Sequence, residues 1–327
     1  MTVAPALRTA TSGKPLLVID IGGTNVKFGY SLDGRPHGFV RLFPTQILRE
    51  ADPVDALAEM VDAVVAEAGL SPWAVVATVP GFIDTDEDRV LFAGNILGLN
   101  GRALASDLSR LVRCPVLLER DAVLTLTGET LTGVAQGKDN VLGIFFGTGI
   151  GAAFIQHGRV FRGNGWALEI GLMPFRGDGR LLSGMRTDCL EAYASGRALQ
   201  EIADRHGEAI GTVFSATARK PALADEMALF VRHQAFAVAT AVALFSPQTI
   251  VLGGGVLDID GYPRGRLGEL VEAHAPIAET GRPMDLRWAR HGWTSVLHGA
   301  PLVVAEHLAR RPELFRSHRT SAAEQPA

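Results

Sequence analysis

The stretch Leu16-Leu17-Val18-Ile19-Asp20-Ile21-Gly22-Gly23-Thr24 decides how this chain is read. An apolar run that stops at a glycine pair predicts a buried strand feeding a tight turn. Val26–Tyr30 and Gly38–Phe43 predict the next two strands, joined by a hairpin turn at Leu32-Asp33-Gly34. Leu57, Met60, Val61, Val64 and Val65 recur at helical spacing between Pro53 and Ala68, with Asp52 as cap and Pro53 at the first helical position. Ala74–Val79 predicts a further strand, ended by Pro80-Gly81, and Val116–Leu118 a fifth that runs into Glu119-Arg120-Asp121.

The pattern then restarts. The strand Val141–Phe146 ends in Gly147-Thr148-Gly149-Ile150-Gly151, followed by a strand at Ala152–Gln156 and the turn His157-Gly158-Arg159. Strand, glycine turn, strand, hairpin therefore occurs twice, which reads as an internal repeat at domain scale. Helices are expected around Asp188–His206 and Ala222–Phe245, a strand at Thr249–Leu252 ending in Gly253-Gly254-Gly255, and a closing helix at Thr294–Ala309. Strands alternating with helices, with an early hairpin in each half, predict an α/β protein with mixed sheets. The tail from Arg310, rich in Ser, Thr, Ala and Pro, reads as poorly ordered.

Composition narrows the function. The 327 residues suffice for two domains, and 31 basic against 35 acidic residues give a charge of −4. That balance argues against nucleic acid as main partner. Two cysteines, Cys114 and Cys189, make no disulfide framework. Met1 to Gly13 lacks the apolar core of a signal peptide, and the apolar runs Val141–Ile155 and Ala235–Phe245 are short, so they read as buried core and not as a bilayer span. A cytoplasmic protein with no membrane partner is expected.

Three strands end in glycine turns, where bare N–H groups can approach an anion. Asp20 stands where it could orient the water shell of Mg²⁺. No Gly-x-x-x-x-Gly-Lys-Ser/Thr segment exists, since Asp139 follows Lys138, and no Gly-x-Gly-x-x-Gly follows the first strand. Asp121 lies at the carboxyl end of a strand, where it reads equally as a general base and as a helix N-cap. Glu169 and Glu191 are acids in apolar settings, each readable as a polyol ligand or as a local structural partner, and Asn95, a polar side chain between apolar ones, reads as a loop residue tolerating left-handed geometry.

Together, Asp20–Lys27, Pro80–Asp84, Asp121 with Gly128-Glu129, Gly147–Gly151, Glu169–Gly171, Cys189–Glu191 with Ser195-Gly196, and Gly253–Gly255 resemble the ROK family of sugar kinases and sugar-responsive repressors, over residues 15 to 308. Arg120-Asp121, Gly255–Asp258 and Tyr262–Arg264 look most like its allose-kinase branch. The resemblance implies an actin-like (ribonuclease H-like) fold, with two lobes of mixed sheet and helices around a cleft for sugar and ATP. Residues 1–120 would form the N-terminal lobe, with the helix near 297–310 packing back on it. Residues 121–296 would form the C-terminal lobe, and 311–327 a flexible tail.

It further implies ATP-dependent phosphorylation of a hexose to its 6-phosphate, by a homodimer. Asp121 would deprotonate the sugar hydroxyl. Gly81, Asn95, Arg120, Glu169 and Glu191 would hold the sugar. Asp20, Gly22, Gly23, Thr24, Lys27, Gly147, Thr148 and Gly149 would surround the phosphates and Mg²⁺, the ion being held by Asp20 through water. Gly254 and Gly255 would sit by the adenosine.

The chain departs from the family at a structural zinc motif. Leu172 stands where a His is usual, Leu182 and Gly184 where two cysteines are, and only Cys189 remains. A lone thiolate does not make a tetrahedral zinc site, so no zinc is expected. Leu172, Met173, Leu181, Leu182 and Met185 could fill that space. The missing His and the guanidinium of Arg120, which donates only, both alter how hydroxyls would be read; a salt bridge from Arg120 to Glu119 or another acid is the structural alternative. Val123 also replaces a commonly polar position. Alternatives of another kind are a catalytically silent sugar-binding regulator, or a kinase for fructose or an N-acyl amino sugar. A DNA-binding repressor is disfavoured, since about 15 residues precede Leu16 and the charge is negative.

Overall fold

The computed structural model describes residues 11–84, 88–182 and 186–316. The chain divides into two compact units. The first runs to Thr132, takes in Arg162–Trp166 and resumes at Trp293; the second comprises Gly133–Phe161 and Ala167–Gly292.

The first unit opens with β1 (Leu16–Ile21), β2 (Asn25–Leu32) and β3 (Arg35–Pro44), then a single-turn helix α1 (Ile47–Glu50) and α2 (Pro53–Ala68). β4 (Ala74–Thr78), the hairpin β5 (Phe82–Asp84) and β6 (Arg89–Phe92), α3 (Leu104–Val112), β7 (Val116–Glu119) and α4 (Asp121–Leu131) follow. The expected caps are in place on α2. Asp52 accepts from the N–H groups of Val54 (2.9 Å) and Asp55 (3.3 Å), Pro53 is the first helical residue, and Gly69 ends the helix at φ 62°. The β2–β3 turn holds Asp33 at φ 52° and Gly34 at φ 75°, the left-handed pair of a tight hairpin. The sheet order is β3-β2-β1-β4-β7. The β2 contacts are antiparallel, while β1–β4 and β4–β7 are parallel.

The second unit repeats this plan with β8 (Val141–Phe146), β9 (Ile150–Gln156), β10 (Arg159–Val160), the small strands β11 (Leu181–Leu182) and β12 (Arg186–Thr187), α5 (Glu191–Ala194), α6 (Gly196–His206), α7 (Val213–Ala216), α8 (Pro221–Phe245), β13 (Thr249–Gly253), α9 (Arg264–His274) and β14 (Leu286–Trp288). Its main sheet runs β10-β9-β8-β13-β14, with the same succession of two antiparallel and two parallel pairings. The repeat read from the sequence is thus a repeat of topology. The central parallel strands β4 and β13 are buried at every position, as strands covered on both faces must be. α8 is long and apolar enough to cross a membrane by composition, yet Leu223, Phe230, Val231, Ala235 and Val238 pack into the core of this unit.

The chain returns to the first unit with α10 (Ser295–Arg310). α10 and α4 touch backbone to backbone. A Cβ on Gly128 would lie 2.1 Å from the Ser295 carbonyl oxygen, and one on Gly299 would lie 2.2 Å from that of Leu124. Only glycine permits this crossing, and it draws α4 into the first unit. The first unit accordingly runs through α4 to Thr132.

Two expectations are corrected. The single helix foreseen over Asp188–His206 is broken at Ser195, whose extended backbone (φ −89°, ψ 172°) starts α6 and whose hydroxyl caps Ala198. Serine competes with the helix for backbone N–H groups, so it starts a new helix more readily than it continues one. Nor is the tail irregular from Arg310: Pro312–Phe315 forms a helical turn, and Phe315 stacks on Trp73 at 5.0 Å. Residues 317–327 lie outside the described residues.

The close crossing predicts contrasting glycine variants. Gly128→Ala should cost about 3 kcal/mol, because the two helices must part. Gly268→Ala, in α9 with open space around it, should add about 0.5–1 kcal/mol. Urea unfolding midpoints of the two variants measure both.

Candidate active site

A polar row crosses the first sheet. Lys27, Asp20, Thr78 and Glu119 are register partners on β2, β1, β4 and β7, so their side chains share one face. Thr78 donates its hydroxyl to Asp20 Oδ1 at 2.9 Å and accepts the Ile21 N–H at 3.2 Å. Lys27 Nζ lies 3.5 Å from Asp20 Oδ2 and 5.7 Å from the Trp293 ring. Lys27, expected among the phosphate ligands, thus stands beside Asp20. Thr78 was not foreseen; as the last polar residue of an otherwise apolar strand it carried the signal.

Behind Asp20 the first glycine turn is held by its carbonyls. Gly22 O accepts the Thr45 hydroxyl (2.8 Å), Gly23 O accepts Arg49 Nη2 (2.7 Å) and Thr24 O accepts the Thr45 N–H (2.9 Å). A planar trans peptide points its N–H opposite to its C=O. Pinning the Gly22 and Gly23 carbonyls therefore aims the Gly23 and Thr24 N–H groups the other way. Neither donates to any acceptor among the described residues. Gly22 has no room for a side chain, since a Cβ would meet Asn25 O at 2.9 Å.

The row ends at Glu119, which is fully buried. One of its oxygens accepts the Arg120 N–H (2.9 Å) and the other pairs with Arg162 at 2.7 Å, which also reaches Glu306 at 3.2 Å. Arg162 thus pairs with Glu119, and the buried Arg120 also gives Glu119 its backbone N–H. Arg120 is the cap residue of α4, and Asp121 is its first helical residue. Asp121 Oδ1 accepts the Ala122 N–H at 2.6 Å. Loss of hydration, then the negative charge of Asp20, pushes the Asp121 carboxyl above its ordinary range, against the Ala122 hydrogen bond and the Arg120 charge. The side chain is open to solvent, so the push is smaller than for a sealed carboxyl.

Two other predicted residues belong to the same unit. Gly81 sits at φ 145°, and a Cβ there would lie 2.0 Å from Phe92 O, so no side chain can stand at this point. Asn95 is half-buried, and its carbonyl accepts Arg49 Nε at 2.9 Å.

The second unit holds its glycine turn in the same manner. Gly147 O accepts the Gly196 N–H (2.8 Å) and Thr148 O the Arg197 N–H (3.2 Å), both from the start of α6. The break at Ser195 is what brings these groups there, and a Cβ on Gly196 would lie 2.6 Å from Gly147 O. The Thr148 and Gly149 N–H groups have no acceptor among the described residues. Glu191 Oε1 accepts the Ile150 N–H at 2.6 Å, and its carboxylate fills a notch beside Gly149 and Gly171. Glu169 follows Leu168, a buried residue at φ 65°, an uncommon conformation that sets the direction in which Glu169 leaves the chain. In the third turn Gly254 has φ 100°, and a Cβ would lie 2.4 Å from Phe146 O, whereas Gly255 faces open space.

Leu172 is half-buried at the end of a 3-10 turn. Cys189 is 1% exposed and packs with Phe175, Ala192 and Tyr193. No group of three or more metal-ligating side chains occurs among the described residues. Gly184 and Met185 lie outside the described residues.

Comparison with known proteins matches the chain to the ROK family model over residues 16–307. It is 30% identical to a glucokinase of Streptomyces coelicolor over 262 residues, 73% of this chain and 81% of that protein. It is 29% identical to an N-acetyl-D-glucosamine kinase of Vibrio parahaemolyticus over 256 residues, 74% and 84% of the two chains. Among solved structures, the ROK family glucokinase of Streptomyces griseus in complex with glucose and AMPPNP superposes with a TM-score of 0.70 at 27% identity, covering 88% of this chain and 98% of that one.

The raised carboxyl yields a stability prediction. A carboxyl whose folded pKa lies above its unfolded value costs stability as pH rises through that interval, and the cost persists above it. Asp121→Asn should therefore raise the melting temperature at pH 7 to 8, with the gain shrinking as pH falls toward the ordinary carboxylate range. Differential scanning calorimetry of both proteins across that range measures it.

Proposed function

The chain belongs to the ROK family, and from that premise we propose that it is an ATP-dependent hexose kinase in which Asp121 is the general base. The observation that carries this reading is the polar row of the first sheet. It presents Asp121 with its pKa pushed up, Asp20 anchored by Thr78 and Lys27, and a turn whose free N–H groups suit an anion. A carboxylate with a raised pKa is a better proton acceptor at neutral pH, because base strength rises with pKa while the group is still ionised.

In the proposed reaction Asp121 takes the proton of the sugar hydroxyl as that oxygen bonds to the γ-phosphorus of ATP. The bond from that phosphorus to the bridging oxygen of ADP breaks. Such transfer depends on placement and charge neutralisation more than on covalent help from the protein. Mg²⁺ supplies neutralisation of the phosphate charge when bound, and Asp20 would hold it through water. Gly23 and Thr24 in the first unit, and Thr148 and Gly149 in the second, would donate N–H groups to phosphate oxygens; Gly22 and Gly147, whose N–H groups bond Asn25 O and Gly149 O, would let the turns approach the phosphates closely, and Gly254 and Gly255 would leave room for adenosine. Gly81, Asn95, Arg120, Glu169 and Glu191 would hold the sugar.

The acceptor is read as an allose- or glucose-like hexose, with N-acetylglucosamine supported by a relative of that activity. The proposal also comprises a zinc-free chain acting as a cytoplasmic homodimer, the first of these supported by the apolar packing of Cys189.

The test is release of ADP with Mg–ATP across a panel of allose, glucose, N-acetylglucosamine, N-acetylmannosamine and fructose. At least one sugar should be turned over, and Asp121→Asn should lower kcat by about 10²–10⁴. Equal rates for wild type and variant would show that the base is misassigned. Sugar binding by calorimetry with no turnover of any sugar would favour a silent regulator. Elemental analysis should find far less than one zinc per chain, with turnover unchanged after EDTA treatment and restoration of Mg²⁺.

A further inference from the structure

Arg49 joins two parts of the first unit that lie far apart in sequence. Its Nη2 donates to Gly23 O at 2.7 Å and its Nε to Asn95 O at 2.9 Å, while Nη1 reaches Gln46 Oε1 at 3.2 Å. One guanidinium thus bonds the backbone of the first glycine turn and the backbone of the Asn95 loop. We infer that Arg49 is a positioning residue that couples nucleotide binding to sugar binding. This rests on the reading above, in which the turn takes phosphate and Asn95 takes sugar.

The physical case has three parts. First, Gly23 O and the Thr24 N–H belong to one rigid peptide plane, so the bond from Arg49 fixes where the Thr24 N–H points. A phosphate oxygen accepting that N–H would polarise the peptide and strengthen the Arg49 bond behind it. Second, the same planar fork fixes the Asn95 backbone, and with it the base of the Asn95 side chain. Its donors stand at set angles, so an adjustment at one carbonyl shifts the other. Third, Arg49 is exposed and sits on a single-turn helix. It fills no core space, so its replacement leaves the packing of the unit in place. A lysine in its place keeps the charge but offers no fork, and reaches one carbonyl at a time.

The experiment uses the full chain, with the hexose that the panel identifies as best acceptor and with Mg–AMPPNP as the nucleotide probe. Calorimetry measures the hexose Kd with and without Mg–AMPPNP, and the Mg–AMPPNP Kd with and without hexose, for wild type, Arg49→Lys and Arg49→Met. In wild type each ligand should tighten the other by the same factor, about fivefold or more, since coupling is reciprocal. In both variants that factor should fall to within about twofold of unity, while each ligand bound alone keeps its affinity within about threefold and the melting temperature is unchanged. A merely structural or merely cationic role would be rescued by lysine and would weaken both separate affinities with the factor intact. Either result overturns the inference, as does a wild-type enzyme that turns over sugar without coupling. A wild type that turns over no hexose instead overturns the kinase reading, and this inference with it; that outcome is seen in the panel before any variant is made.

Discussion

The site depends on how the back of a glycine turn is held. A turn rich in glycine is soft, because each glycine loses more freedom on ordering than any other residue. Such a turn offers N–H groups to an anion only if something else fixes its peptide planes. Here the carbonyls do so. In the first unit they bond to Thr45 and Arg49, and in the second to the opening N–H groups of α6. Both arrangements leave two consecutive N–H groups without an acceptor among the described residues and aim them away from the anchors. The α6 N-terminus, which in isolation would attract an anion itself, is consumed as the anchor.

The two units share this backbone device and differ in what stands before it. Two residues ahead of the glycine is Asp20 in one and Phe145 in the other. The first sheet therefore carries a charged row, and the second an apolar one in which the Phe145 ring lies against Gly253. The charged row is held by the buried pair of Glu119 and Arg162. Removing either member of such a pair leaves an uncompensated buried charge and costs about 3–5 kcal/mol. That penalty keeps β7 in register and sets the point at which Arg120 and Asp121 leave the sheet. The placement of Asp121 thus depends on the buried, paired Glu119.

Much of this was legible in the sequence, for definite reasons. β1, β4, β8 and β13 are continuous apolar runs ended by glycine or a polar residue, a pattern dictated by burial on both faces. The Asp52-Pro53 start of α2 and the Asp33-Gly34 turn follow from local chemistry alone. The repeat was visible because glycine turns and hairpins recur in the same order. What was not legible depended on tertiary contact. Arg49 looks like an ordinary surface residue until two distant carbonyls converge on it. Thr78 reads as a strand residue until the register sets it beside Asp20. Ser195 reads as the middle of a helix until the Gly147 carbonyl claims the next N–H. The assignment of α4 to the first unit turns on Gly128 and Gly299, whose partners lie on another helix.

The loop between Glu169 and Glu191 shows how a fold can keep a segment in place with apolar and aromatic contacts. Cys189 is buried beside Phe175 and Tyr193, whose rings lie 5.6 Å apart, and both pack on His233 at 5.0 and 5.8 Å. Burial, then the charge of Arg176, pushes His233 down to about 4, so at neutral pH it is an uncharged ring within this cluster. The Tyr193 hydroxyl donates to Asp178, the Gly179 N–H bonds Asp188 Oδ1 at 2.7 Å, and Pro174 bridges to Cys189. The thiol nearby is sealed from water. Each of these groups contributes packing and hydrogen bonds that hold the chain between Glu169 and Glu191. Packing and hydrogen bonds along this segment thus support the chain on which both acids stand.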